Sequence, residues 1–151
     1  MNKPTGFILL LIALVVLACS TDETCRESTK VNLQIGFYGS GTTTPLTIDS
    51  ITVISIPGDS VFYENKKRIS KIELPLNAHS TVTRFAIRFN EKWDTLTVLY
   101  ATEPWFVSYA CGMIYTHQID TALITNHVSR SLLIPGKLIN TANAQHIQLY
   151  Q

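Results

Sequence analysis

An all-β fold, a single two-layer antiparallel β-sandwich of about seven to nine strands, is what this chain predicts. Three observations carry it. Apolar and polar residues alternate with a period of two along nearly every segment after residue 30. Turn residues interrupt those segments at spacings of about 8–15 residues. No segment carries a helical apolar stripe of any length. The eighteen threonines and many Val and Ile residues agree, because branched side chains pack well on a pleated surface. Short strands at this spacing favour an immunoglobulin-like or prealbumin-like sandwich over a closed barrel.

The elements follow in chain order. Val31, Leu33, Ile35 and Phe37 alternate with Asn32, Gln34 and Gly36, and Gly39–Thr44 is a flexible loop. Residues 47–56 form a β-branched run, and Val61–Tyr63 is a short one. Ile69–Leu76 alternates at Ile72, Leu74 and Leu76, but Pro75 places it at a sheet edge or a bulge. Phe85, Ile87 and Phe89 face one way, with Arg84 and Arg88 facing the other; Leu96, Val98 and Tyr100 repeat the pattern. Phe106–Thr116 is apolar on both faces, as a central strand would be. Val128, Leu132 and Ile134 follow, and Ile147 and Leu149 close the chain. Pro57-Gly58 and Pro135-Gly136 each fit the central positions of a type II turn.

Composition bounds the function. Hydrophobic residues make up 46% of the 151 and charged residues 15%, against a usual charged share of about 25%. Such a chain is not disordered. Without residues 1–18, 133 residues remain, a single domain able to bury a core without a metal. Eleven basic and eleven acidic side chains then balance, so the basic excess that a nucleic-acid binder uses to neutralise phosphates is missing.

Residues 1–18 read as a secretory leader. Lys3 supplies the positive start, Phe7–Leu17 is an apolar run of eleven, and Ala18 is small. The run is too short for a spanning helix of about 20 residues. The junction Val16-Leu17-Ala18-Cys19 resembles a bacterial lipobox, which implies that Cys19 is diacylated on sulfur, freed at its N-side and N-acylated. One acyl chain holds a protein only marginally, whereas three hold it durably. The expected location is the outer membrane, lipid-anchored, on its periplasmic or surface-exposed face. Residues 19–29 are a polar tether and residues 30–151 the sandwich domain. Asp22 and Glu23 weakly resemble the surface-export signal of Bacteroidetes lipoproteins; a solvated tether accounts for them equally.

With Cys19 acylated, Cys25 and Cys111 remain, and two cysteines in an envelope domain are expected to pair. The loop of 86 residues is worth roughly 4–5 kcal/mol in the chain-entropy model. The competing reading is a catalytic thiol at Cys111, but its surroundings, WFVSYACGMIY, lack the electropositive setting that activates a cysteine.

Other chemistry is sparse. His79, His117, His127 and His146 show no metal-ligand spacing, although His117 and His127 could meet across a hairpin. No nucleophile elbow, Walker loop or dinucleotide fingerprint is present, and no cofactor is expected. Asp94, Glu103 and Asp120 offer carboxylates without a spacing that argues for glycoside hydrolysis. Trp93, Tyr100, Trp105, Phe106 and Tyr109 form an aromatic group in sequence. Of these, Trp93, Trp105 and Tyr109 are the candidate ligand or partner contacts; a core corner is the alternative. Lys66, Lys67, Arg68 and Lys71 form a basic cluster, either a contact for anionic headgroups or a solvated hairpin loop that guards an edge. From Thr95 onward only Glu103, Asp120, Arg130 and Lys137 are charged.

A resemblance gathers several of these pieces: Cys19, Cys25-Arg26-Glu27, Phe37-Tyr38, Leu74-Pro75-Leu76, Asp94-Thr95-Leu96, Phe106-Val107-Ser108, Ala110-Cys111-Gly112 and Ala144-Gln145-His146-Ile147. In this order they resemble an uncharacterised family of short Bacteroidetes lipoproteins, a domain of unknown function. Met113 stands where that family would carry an aromatic residue. The resemblance implies a membrane-anchored protein with two mature cysteines in these places, an outer-membrane β-barrel as partner, and no assigned catalytic residue. The expected function is a non-enzymatic accessory or binding partner of an outer-membrane protein. The alternatives are a glycan- or peptide-binding module and a thiol- or metal-dependent hydrolase.

Overall fold

The structure, a computed structural model, describes residues 24–151. The leader, Cys19, Asp22 and Glu23 lie outside the described residues. The described chain folds as ten strands without a helix. In order they are β1 (Leu33–Tyr38), β2 (Ile48–Ile56), β3 (Val61–Ile69), β4 (Lys71–Leu74), β5 (Val82–Phe89), β6 (Lys92–Ser108), β7 (Gly112–Ile124), β8 (Ser131–Leu133), β9 (Leu138–Ile139) and β10 (Ile147–Tyr150). Two sheets pack face to face: a four-stranded sheet in the order β4-β1-β10-β8 and a six-stranded sheet in the order β3-β2-β5-β6-β7-β9.

The period-two pattern dictates the core. Leu33, Ile35, Phe37, Ile72, Leu74, Ile147 and Leu149 project from the four-stranded sheet. Ile51, Val53, Phe85, Ile87, Leu96, Val98 and Ile119 project from the six-stranded one, and all fourteen are buried. Phe37 and Phe89 meet edge to face across the sheets, ring centroids 5.5 Å apart. Tyr100 brings a hydroxyl into this interior with partners in place. The Tyr100 hydroxyl donates to the Asn77 carbonyl (2.9 Å) and lies 2.7 Å from the Thr83 hydroxyl.

Several local expectations differ from the fold. The four-stranded sheet is mixed, because β1 pairs with β10 in parallel, from Ile35↔Ile147 to Tyr38↔Tyr150. Parallel neighbours need a long crossover, and here the rest of the domain supplies it. Phe106–Thr116 is not one central strand but the end of a hairpin, with a turn at Tyr109–Cys111. Val61–Tyr63 opens a nine-residue strand, so Lys66, Lys67 and Arg68 lie on the exposed edge strand β3 rather than in a loop. Asn65 (φ 45°) and Arg68 (φ 56°) interrupt the regularity of β3. Cationic side chains on an irregular strand deter edge-to-edge pairing. Pro57-Gly58 belongs to a turn with a cis Ile56–Pro57 bond, in which Gly58 (φ 120°) and Asp59 (φ 50°) are both left-handed. Gly136 is not left-handed; it is small because a Cβ there would sit 3.2 Å from the Gln145 carbonyl oxygen.

Two constraints hold the ends together. Cys25 and Cys111 are disulfide-bonded, their Cα atoms 4.7 Å apart, which ties the segment before β1 to the β6–β7 turn. Asp94 is buried beneath residues 125–129, where the chain leaves the six-stranded sheet for β8. Its Oδ1 accepts from the Thr125 hydroxyl (3.0 Å) and the His127 N–H (2.8 Å). Its Oδ2 accepts from the N–H groups of Val128 (3.1 Å) and Ser129 (2.8 Å). Burial alone would raise this carboxyl, but the donors of Ser129, His127, Thr125 and Val128 together hold its pKa below the ordinary 3.8. Burial holds His117 and His146 below the ordinary imidazole range; at His146 the Leu138 carbonyl offsets part of the effect. The Nδ1 of His146 accepts the Gln34 N–H at 3.0 Å, as a neutral ring does.

Removing the disulfide by Cys25→Ala or Cys111→Ala should cost about 2–5 kcal/mol in chemical denaturation. The double variant should be little worse than either single one, because both remove the same bond. Asp94→Asn turns an amide N–H₂ toward N–H donors, and should cost about 2–3 kcal/mol at neutral pH.

Acid should destabilise the fold in two stages. His117 and His146 have lowered pKa values in the folded state, so below the ordinary 6.5 the unfolded chain binds more protons and stability falls with pH. Asp94 contributes fully above its ordinary 3.8, and that contribution is lost as pH falls through its lower folded value. Urea midpoints measured from pH 8 downward should decline first below about 6.5 and again in strong acid. In Asp94→Asn the second decline should shrink.

Candidate functional site

Strands β6 and β7 outrun their neighbours. Pairing of β5 with β6 stops at Val82↔Leu99, and β9 pairs with β7 only at His117 and Gln118. The β6–β7 register continues to Ser108↔Gly112. Residues 101–116 therefore form a two-stranded ribbon beyond most of the sandwich. Its turn is short: Gly112 is left-handed (φ 72°), and the Ser108 hydroxyl accepts the Cys111 N–H at 3.1 Å. A three-residue loop closed by a left-handed glycine is a common hairpin connection.

The ribbon has two chemically distinct faces. Alternation places Ala101, Glu103 and Trp105 opposite Gln118, Thr116 and Ile114 on one of them. This face continues the outward surface of the six-stranded sheet. Trp105, Ile114, Glu103 and Thr116 line a groove of about 360 Å³ there with Leu138, Asn140 and Thr141. Trp105 is 62% exposed and forms one wall. Exposed Val82, Leu99 and Leu123 extend the apolar surface along the sheet. The opposite face starts in the core with Tyr100 and His117, whose Nδ1 lies 2.9 Å from the Thr102 hydroxyl. It ends in exposed Tyr115, Phe106 and Met113. Phe106 packs edge to face against Tyr109, centroids 5.4 Å apart, and Tyr109 at the turn is 93% exposed. No Asp, Glu, Lys or Arg occurs between Glu103 and Asp120.

The aromatic residues adjacent in sequence therefore separate into three places. Tyr100 is core. Trp105, Phe106 and Tyr109 share the ribbon end. Trp93 lies at the other end of β6, about 40 Å from Trp105 at strand rise. The Arg88 guanidinium stacks over it, 5.5 Å from the ring centroid, and it remains 43% exposed. The core-corner alternative holds for Tyr100 alone. The outward leucines Leu99, Leu123 and Leu138 escaped the sequence reading, because an apolar residue on the solvent parity of a strand looks like a lapse in alternation.

The chemical alternatives meet direct geometry. Cys111 is bonded to Cys25 and has no thiol to offer while that bond stands. His117 and His127 do not meet. His117 pairs beside Ile139, and His127 lies 3.3 Å from Asp94, about eight positions and roughly 25 Å along β6 from the Thr102 partner of His117. Among the described residues no three His, Cys, Asp or Glu side chains gather as metal ligands would. Asp94 spends both carboxylate oxygens on the 125–129 loop. Gly39–Thr44 leads into β2, with no helix N-terminus to receive a phosphate.

Comparison with known proteins adds one relationship. Searches of the curated proteins and of the solved structures found no match. A family model matches residues 50–151, more than half of the chain, and takes in the six-stranded sheet from the third residue of β2 onward, with its ribbon. The protein thus belongs to the family of unknown function DUF6452.

Proposed function

We propose that this protein is a non-enzymatic, lipid-anchored envelope protein, one of the short Bacteroidetes lipoproteins, that holds an outer-membrane protein against the outward face of its six-stranded sheet. The observation that carries the reading is that face itself. Val82, Leu99, Leu123, Leu138 and Trp105 are exposed along it, and the ribbon beside it carries little charge. Monomeric proteins rarely leave a large contiguous apolar surface in water, and exposed aromatic anchors are typical of protein contacts. The Val16–Cys19 junction supplies the address. Acylation there would hold the domain beside membrane-embedded partners, such as a β-barrel, and raise their effective concentration.

The Trp105 groove supports a second reading, a glycan- or peptide-binding module. An exposed indole face beside Glu103, Thr116, Asn140 and Thr141 combines a stacking surface with hydrogen-bonding groups.

Cys19→Ala should move the protein from the membrane to the soluble envelope fraction, and wild-type protein should incorporate a palmitate analogue. A photo-crosslinker at Leu123 should capture an outer-membrane protein in the native host. Leu123→Glu should abolish that capture while changing stability by no more than about 0.5 kcal/mol, as surface substitutions do. Recovery of the domain alone after crosslinking would refute the accessory reading. A glycan or peptide signal lost in Trp105→Ala would transfer the function to the groove.

A further inference from the structure

We propose that the tip of the β6–β7 ribbon rests in the headgroup zone of the phospholipid leaflet that holds Cys19, so that the domain touches the membrane at a second, non-covalent point. The proposal builds on the lipid-anchor reading. It concerns a different surface from the outward sheet face.

The disulfide sets the geometry. Cys25 is six residues beyond Cys19, and an extended chain spans at most about 3.6 Å per residue. Cys25 therefore lies within about 22 Å of an acylated Cys19, however the tether runs. The Cys111 Cα is 4.7 Å from that of Cys25. The ribbon turn is thus leashed to the anchor, while the Trp93 end of β6 lies roughly 50 Å from the turn at strand rise. A ribbon bound covalently to the chain only at its base could point anywhere; this one is tied at its tip.

The tip has the chemistry of a membrane interface. Phe106, Tyr109 and Met113 are exposed around the turn. No Asp, Glu, Lys or Arg occurs from Pro104 to Ile119, and His117, the one histidine there, lies at the base of the ribbon away from the turn. Aromatic rings with one polar edge concentrate at the headgroup level, where the apolar body leaves water and the hydroxyl stays hydrated. The headgroup zone on each side of a bilayer is about 5–8 Å deep, comparable to a side chain standing out from a turn. Backbone groups of the turn remain wet there, so an open hairpin end meets no hydrogen-bonding penalty of the kind the hydrocarbon core imposes. Because the tip is uncharged, its contact should not depend on anionic lipid, unlike one made by the basic strand β3.

The orientation fits the outward-face reading. With the tip down, β6 and β7 stand away from the membrane, and the apolar sheet face looks sideways toward a membrane-embedded neighbour.

The test uses full-length protein from envelope membranes in phosphatidylcholine vesicles, plain or with acyl chains brominated near the headgroup end. Trp93→Phe, Trp105→Phe and Tyr109→Trp together leave one tryptophan at the tip; Trp105→Phe alone leaves Trp93. All three positions are exposed, and an unchanged urea midpoint checks the fold. The tip tryptophan should shift its emission to the blue on vesicles and be dimmer in brominated vesicles than in plain ones, because an indole at the headgroup level leaves bulk water and meets the bromine atoms. Trp93 should give the same signal in both vesicles. An unquenched tip tryptophan, meaning that the tip faces water or a protein, would overturn the proposal. So would quenching that requires phosphatidylglycerol. The intact mass reports acylation separately. Acylated protein with an unquenched tip loses the contact and keeps the anchor. Unacylated protein with a quenched tip keeps the contact and loses the anchor.

Discussion

The passage from one sheet to the other after β7 is held by one buried carboxylate, Asp94. After β7 the chain must leave the six-stranded sheet and enter the four-stranded one, and residues 125–129 make that passage with no ladder partner of their own. Backbone N–H groups in such a passage need acceptors if they are removed from water. Asp94 provides both oxygens, and four donors converge on them. The Thr125 hydroxyl accepts the Thr95 N–H at 2.7 Å, so the strand that carries the acceptor is held by the loop it supports. An ionised carboxylate is buried without penalty only when it is saturated in this way. The joint delivers the chain to β8, which pairs with β10, itself paired in parallel with β1.

The ribbon depends on a different constraint. Two strands without neighbours are marginal in water. This pair is held at its base by Tyr100 and His117, whose rings meet edge to face 5.2 Å apart. At its end it is held by the Cys25–Cys111 bond. Between these points the side chains are released from packing the core. That freedom is what allows Trp105, Phe106, Tyr109 and Met113 to remain exposed, whereas Phe37, Phe85, Phe89 and Tyr100 are buried in the sandwich.

The core was legible because burial and strand period are local properties. Leu33, Ile35 and Phe37, then Phe85, Ile87 and Phe89, then Leu96, Val98 and Tyr100, are each read from neighbours two positions away, and each faces inward. The edge character of Lys71–Leu74 was legible from Pro75 for the same reason. The hairpin hidden in Phe106–Thr116 was not read. An apolar run looks the same whether it is covered on both faces or exposed at a turn. The signal that distinguishes them, Ser108 three residues before Cys111 with Gly112 after it, is a turn signature embedded in apolar residues. The role of Asp94 had no local signature, since its donors lie 31 to 35 positions away.

The sequence alone determined the class of fold, the inward face of most strands, the balance of charge and the presence of Cys25 and Cys111 as a pair able to bond, because periodicity and composition act through near neighbours. The tertiary structure decided the parallel union of the first and last strands, the separation of Trp93 from Trp105, the outward apolar face and the position of the disulfide at a ribbon tip. Each of these depends on which strands become neighbours. Pairing is settled by burial and hydrogen bonding summed over the whole domain, and residues far apart in the chain, such as Asp94 and Ser129, or Cys25 and Cys111, acquire their roles only when that sum is complete.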